Sequence, residues 1–176
     1  MRQLVAGFAI SLDGYIEGPN GEYDWITMDK EFDYASHMKR FDTFFFGRRS
    51  YLKLKESSSV SFPGIKNYVF SNSLQTGNDN FVLLNGDISK SVTQIKKQDG
   101  KDIAVYGGAN LLSSLLNRNL VDELMMSIIP VVLGAGKPMV DSLKDRVNLH
   151  LIDIRKYSSG TIQLVYKVAQ NTLSTP

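Results

Sequence analysis

Three strand-to-loop junctions in this sequence combine residue types that could hold an anion. Gly107-Gly108 stands between an apolar run and a segment with leucines at helical spacing. The missing side chains let backbone N–H groups approach a ligand, and the dipole of the following helix favours negative charge. A pyrophosphate would fit there, with Ala109 and Asn110 opening the helix. A tight strand-to-helix turn would use the same glycines, and with no Gly-x-Gly-x-x-Gly pattern the two readings are level. Gly47-Arg48-Arg49-Ser50 has the same setting and adds guanidinium groups that can grip phosphate bidentately and a hydroxyl that can cap the helix. A capped helix with solvated arginines is the alternative. Phe70-Ser71-Asn72 offers polar groups at a third strand end, on the carboxyl edge where open α/β sheets bind ligands; alone it reads as a turn.

Acid–base chemistry has fewer candidates. Trp25, the single tryptophan, precedes a carboxylate-rich stretch, Asp29-Lys30-Glu31-Phe32-Asp33-Tyr34. A carboxylate there, placed in an apolar cleft, would have a raised pKa and could assist protonation beside a hydride acceptor. The plainer reading sets Asp29 and Glu31 against a helix N-terminal dipole, with Asp33 in solvent. Asp13 either orders its own loop by turn hydrogen bonds or reaches a substrate. Trp25 and Tyr106 are the expected substrate contacts.

Other chemistries are poorly served. The chain has no cysteine, which excludes disulfides, thiolate metal sites and cysteine nucleophiles. His37 and His150 are isolated, so no metal is expected. Leu133-Gly134-Ala135-Gly136-Lys137-Pro138 resembles a phosphate loop, but Val131 takes the place of its first glycine and Pro138 that of its Ser/Thr. No Gly-x-Ser-x-Gly elbow is present.

The elements that must position these residues alternate. Strands are expected at Gln3 to Ile10, Asp42 to Phe46, Asn67 to Ser71, Phe81 to Leu84, Ile103 to Tyr106 and Leu124 to Val132, the last interrupted at Pro130 and so at an edge or a bulge. Helices are expected at Asp29 to Arg40, Arg49 to Glu56, Ile88 to Gln98 and Asn110 to Asn117. Ser11 to Trp25 reads as one long loop, and a Ser-rich turn follows Glu56. His150 to Ile154 and Thr161 to Val168 alternate around Ser158, Ser159 and Gly160 as an antiparallel hairpin. The sum is a three-layer α/β sandwich with a mixed, mainly parallel sheet. With 176 residues and 43% hydrophobic content, one domain over residues 1–169 is expected, with a frayed tail at 170–176. A net charge of +2 without a basic block gives no nucleic-acid footprint, and no apolar run is long enough for a membrane span. No secretory signal is legible at the N-terminus, so a cytoplasmic location is expected.

Taken in order from about Leu4 to Val168, these segments resemble the dihydrofolate-reductase superfamily. Ala9-Ile10-Ser11, leading into a glycine-bearing loop as far as Trp25, looks like its first strand and mobile loop, and Gly47-Arg48-x-Ser50 like its Gly-Arg-x-Thr cofactor motif. Ser71 looks like a serine near the adenosine phosphate, and Gly107-Gly108 like the glycine pair beneath the pyrophosphate. Glu31-Phe32-x-Tyr34 resembles the helix whose glutamate holds a pterin, although the prolines usual between Trp25 and Glu31 are missing. Ser11-Leu12-Asp13-Gly14, Gly107-Gly108-x-x-Leu111, Val121-Asp122-Glu123-Leu124 and Pro130-x-x-x-Gly134-x-Gly136 are more specifically similar to the C-terminal reductase domain of bifunctional riboflavin-biosynthesis enzymes. The resemblance implies NADPH as cofactor and hydride transfer to a ribosylaminopyrimidine or pterin-type substrate. It also implies a homodimer, with Glu31 and Asp13 as catalytic candidates. The zinc-dependent deaminase half of those enzymes has no counterpart in this sequence. Dihydrofolate reductase proper and a non-catalytic nucleotide-binding module are the other readings.

Overall fold

The computed structural model describes residues 1–56, 62–75 and 80–169; the Ser-rich turn at 57–61 and the tail at 170–176 lie outside them. The chain runs β1 (Leu4–Ser11), β2 (Tyr15–Glu17), α1 (Tyr34–Met38), β3 (Phe41–Gly47), α2 (Arg48–Glu56), β4 (Lys66–Phe70), β5 (Phe81–Leu84), α3 (Ile88–Lys96), β6 (Asp102–Gly107), α4 (Ala109–Leu116), β7 (Glu123–Ile129), β8 (Lys137–Pro138), β9 (Leu149–Lys156) and β10 (Ile162–Val168). Eight strands form one sheet in the order β5-β4-β3-β6-β1-β7-β10-β9. Neighbours from β5 through to β7 pair in parallel, and β10 is antiparallel to both β7 and β9. The mixed α/β sandwich and its C-terminal hairpin are therefore as expected.

Alternation along the strands divides the core between two faces. On one face, Leu4, Ala6, Phe45, Ile103, Val105 and Leu124 pack against Val92 and Ile95 of α3 and Leu111, Leu112 and Leu115 of α4. On the other, Val5, Phe44, Phe46 and Val69 meet Tyr51 of α2 and Met38 of α1. Consecutive phenylalanines of β3 thus point into opposite layers, which locks its register. Asp87 caps α3 by accepting from Ser89 N (2.8 Å) and Lys90 N (3.2 Å). Lys96, at the end of α3, is buried and donates to Asp122 Oδ2 (2.5 Å), while that oxygen also accepts from Leu4 N (2.6 Å).

Three expected elements differ. The helix read from Asp29 to Arg40 covers Tyr34–Met38 alone, because Asp33, not Asp29, is the N-cap and accepts from Ser36 N at 2.9 Å. Asp29 instead closes a turn by accepting from Glu31 N (2.8 Å) and ties it to Ser159 N (3.1 Å). The strand read as far as Val132 stops at Ile129, where Val131 N donates back to Ile129 O (2.7 Å). Pro130 follows the last paired residue and removes no ladder bond, so β7 sits inside the sheet, not at an edge. The long loop contains β2, which pairs with β8 in a separate two-stranded ribbon. Among the described residues no helix is long and apolar enough to cross a membrane.

Candidate functional site

The parallel strands deliver their carboxyl ends to one edge, and three of those ends form a cleft of about 480 Å³. Gly47, Arg48, Arg49 and Ser50 line it from the β3–α2 junction, Ser71 and Asn72 from the end of β4, and Gly108, Ala109 and Asn110 from the β6–α4 junction. The cofactor residues expected from sequence are thus brought together, with Gly107 directly behind Gly108 in a cis peptide.

A side chain at either glycine would crowd this edge. A Cβ at Gly107 would lie 3.0 Å from Ser50 Oγ, and one at Gly108 would lie 3.1 Å from it. Gly47 packs against the pair, its Cβ position being in ordinary contact, 3.6 Å, with Gly107 O and Gly108 N. Glycines at both strand ends therefore leave a shallow cradle of backbone. Gly108 supplies α4 with no side-chain cap, so first-turn N–H groups remain for a ligand. Arg48 and Arg49 are exposed and have no carboxylate within ion-pair distance among the described residues. Cations, backbone donors and a backbone cradle suit a phosphate-bearing group, so the donor set fits a dinucleotide. Sequence reasoning missed Lys137, Ser114 and Arg118, which also line the cleft. The glycine-flanked Lys137 was visible within the loop resembling a phosphate-binding one, but its strand partner was not.

Beside the cleft lies an apolar hollow of about 290 Å³. Tyr106 lines the hollow and Gly108 the cleft, with Gly107 alone between them in sequence. Small residues of three adjacent strands line the hollow: Gly7 and Ala9 of β1, Ala104 of β6 and Ser127 of β7, the last paired with Ala9. A Cβ at Gly7 would meet nothing within 4 Å, so the floor is flat there. Met28, Phe32, Tyr34, His37 and Met38 form the opposing wall, and Gln163 adds an amide. Burial raises the Tyr106 phenol above its usual range, and burial followed by the nearby Arg40 charge lowers His37.

The other expected residues lie elsewhere. Glu31 is exposed and lines an outer hollow with Asp33, Arg40, Glu123, Arg155 and Tyr157; this hollow adjoins the apolar one through Phe32, His37, Met125 and Gln163. Trp25 is half-buried and lines neither hollow, and its indole Nε1 is enclosed without a hydrogen-bond partner among the described residues. Asp13 accepts from Leu133 N (3.2 Å) and Gly134 N (2.7 Å), tying its loop to the one after β7. The Ser11 hydroxyl and these N–H groups hold its carboxyl below the ordinary range.

Known proteins share this frame. YyaP, an uncharacterised protein of Bacillus subtilis (strain 168), is 38% identical over 177 residues, covering 94% of each chain. A Shewanella sp. PV-4 protein named for riboflavin biosynthesis superposes with a TM-score of 0.83 at 22% identity, covering 95% of this chain and 99% of its own. The Thermotoga maritima diaminohydroxyphosphoribosylaminopyrimidine deaminase/5-amino-6-(5-phosphoribosylamino)uracil reductase gives a TM-score of 0.70 at 17% identity, over 96% of this chain and 57% of that one. Enterococcus faecalis dihydrofolate reductase, solved with NADP(H) and RAB-propyl, gives 0.66 at 13% identity over 94% and 96%. The dihydrofolate-reductase-like fold expected from sequence is thus the fold observed. The family model described as the RibD C-terminal domain matches residues 2–163, and with that match the chain belongs to the RibD C-terminal domain family.

Proposed function

We propose that this protein is an NADPH-dependent reductase acting on a planar pyrimidine- or pterin-like substrate, most closely a ribosylaminopyrimidine. The observation that carries the reading is the cleft itself: glycines, arginines and hydroxyls from three strand ends converge where a dinucleotide phosphate would lie, next to a flat apolar hollow. Family membership and the NADP(H)-bound relative of like fold support it. Gly107, Gly108, Ala109 and Asn110 would take the pyrophosphate. Arg48, Arg49, Ser50, Ser71 and Asn72 would take the adenosine phosphate end.

NADPH, when bound, supplies hydride. The protein's own contribution is alignment and exclusion of water. The small-residue floor of Gly7, Ala9, Ala104 and Ser127 admits a flat ring face-on, while Phe32 and Met28 cover it. Tyr106 lines this hollow and, as a phenol protonated at neutral pH, can donate to the substrate. Asp13 serves by tying the loop carrying β2 to the loop after β7. Glu31 would reach bulk solvent more readily than the reacting carbon, and its proposed role is at the outer rim. Exposed Leu151, Ile152 and Ile154 on the edge strand β9, with Ile162 of β10, favour a homodimer through that hairpin, which sedimentation would test.

Titration of NADPH, followed by cofactor fluorescence, and then oxidation at 340 nm (roughly the reduced-nicotinamide band) with a panel of pterins and aminopyrimidines tests the reading. Saturable binding and turnover of a panel member are expected. Binding without turnover across the panel would favour a nucleotide-binding module, and absence of binding would refute the proposal.

A further inference from the structure

We infer that Lys137 is a phosphate ligand of the dinucleotide, fixed in place by the β2–β8 ribbon and countered by Glu17 until phosphate arrives. This rests on the cofactor reading above.

Position comes first. Lys137 lines the cleft and also a neighbouring hollow of about 480 Å³, which shares Arg49, Ala109 and Asn110 with the cleft and adds Glu17, Gly18 and Asp141. Its ammonium stands 3.9 Å from where a Cβ of Gly108 would be, directly over the glycine cradle. The side chain is half-buried, so its charge is held near the cleft instead of sweeping through solvent.

Backbone packing fixes that position. Gly136 has φ of +151°, and a Cβ there would fall 2.2 Å from Glu17 O. The main chains of β2 and the residue before β8 are therefore in contact, and no side chain can intervene. Lys137 pairs with Glu17 across the ribbon, so its direction is set by strand register.

Charge comes next. Among the described residues, the one carboxylate within ion-pair range of Lys137 Nζ is Glu17 Oε2 at 3.9 Å, beyond hydrogen-bonding distance. Glu17 spends its other oxygen on Lys53 of α2 at 3.1 Å. One carboxylate thus faces two lysines and bonds the other one. Lys137 keeps its three donors available, and a pyrophosphate oxygen is a better partner than a shared, distant carboxylate. The same bridge runs from α2 through β2 to β8, so phosphate capture by Lys137 would bear on the ribbon that carries it.

Because the Lys137 ammonium stands beside Gly108, the glycine proposed to take the pyrophosphate, it should contact the pyrophosphate common to NADPH and NADH, not the phosphate that distinguishes them. Fluorescence titration of both dinucleotides at fixed ionic strength, with a thermal melt of each variant, tests this. Lys137→Met should raise both dissociation constants about tenfold and by the same factor, the loss of one charge-assisted hydrogen bond, and Lys137→Arg should restore most of the affinity. Glu17→Gln, which removes the countercharge, should tighten both about twofold. Unchanged affinities in Lys137→Met overturn the inference. So does loss of ribose 5-phosphate binding to the NADPH-saturated variant with dinucleotide affinity intact, which would give Lys137 to a substrate phosphate. If the wild type binds neither dinucleotide, the cofactor reading itself falls and this inference with it; the two failures are told apart by the wild-type titration.

Discussion

Replacing Gly108 by alanine separates ligand binding from folding. Gly108 has φ of −119°, which any L residue adopts, so the backbone need not move. The new methyl would lie 3.1 Å from Ser50 Oγ and 3.9 Å from Lys137 Nζ. The first contact is a few tenths of an ångström too tight, and rotation of a half-exposed serine relieves it, so the stability cost should stay below about 1 kcal/mol. For a phosphate the consequence is larger, because the methyl stands in the cradle where backbone N–H groups would meet its oxygens. Losing two charge-assisted hydrogen bonds at about 1.5–3 kcal/mol each removes about 3–6 kcal/mol, or roughly two to four orders of magnitude in Kd. Calorimetric titration with NADPH beside urea unfolding would measure both quantities on one preparation. Adding Ser50→Ala to the Gly108→Ala variant relieves the crowding but leaves the methyl, so affinity should stay low. A Kd within about threefold of wild type in a normally folded Gly108→Ala protein would refute the cradle.

Other consequences can be checked directly. Arg48→Ala should weaken NADPH binding far more than NADH binding, and equal losses in the two titrations would remove Arg48 as a contact to the distinguishing phosphate. Gly136→Ala must carry a side chain at φ of +151° and 2.2 Å from Glu17 O, so denaturant unfolding should show a loss of about 2–4 kcal/mol; a neutral result would contradict the ribbon packing. Asp122→Ala leaves the Lys96 ammonium, whose side chain is 6% exposed, without a countercharge and with the Leu120 carbonyl at 3.2 Å as its acceptor, and should cost about 3–5 kcal/mol by the same measurement, with less than about 1 kcal/mol counting against the pair. His37 has a folded pKa lowered by burial, so its contribution is complete above its ordinary 6.5 and declines as pH falls through the lower folded value. Thermal midpoints measured downward from pH 7 should therefore drop more steeply in wild type than in His37→Gln, above the acid range in which Asp13, Asp29 and Asp33 titrate.

Strand-to-helix junctions were the most legible part of the sequence. Gly47-Arg48 and Gly107-Gly108 follow apolar runs and precede helical spacing, and both signals are local, so each fell within a residue of its observed boundary. Their convergence in one cleft was legible only through the order of segments, because parallel pairing of β3 with β6 joins residues that no short window contains. The stretch from Asp29 to Arg40 misled for a local reason. Three residues there, Asp29, Asp33 and Ser36, can cap or close a turn, and the choice of Asp33 over Asp29 depends on Ser159, far along the chain. Lys137 was hidden differently: a two-residue strand has no periodicity to detect, and its partner β2 lay inside a segment read as loop. The flat floor at Gly7 also belongs to tertiary packing, since a glycine within a strand looks like a defect until its neighbours are known.

The place of β1 in the sheet bears on how the protein is made. β1 leaves the ribosome well before the two strands between which it ends, β6 and β7, whose residues paired with it begin at Ile103 and Glu123. Until synthesis passes those points, Leu4–Ser11 is an apolar strand with both edges open, the pattern most prone to pair with a neighbouring nascent chain. Gly107 and Gly108 of the cradle are translated at the end of β6, and Lys137 later still. A cofactor therefore cannot guide the early stages; it can stabilise only the completed sheet. Added NADPH should raise the final yield of refolding by mass action and leave the initial rate unchanged.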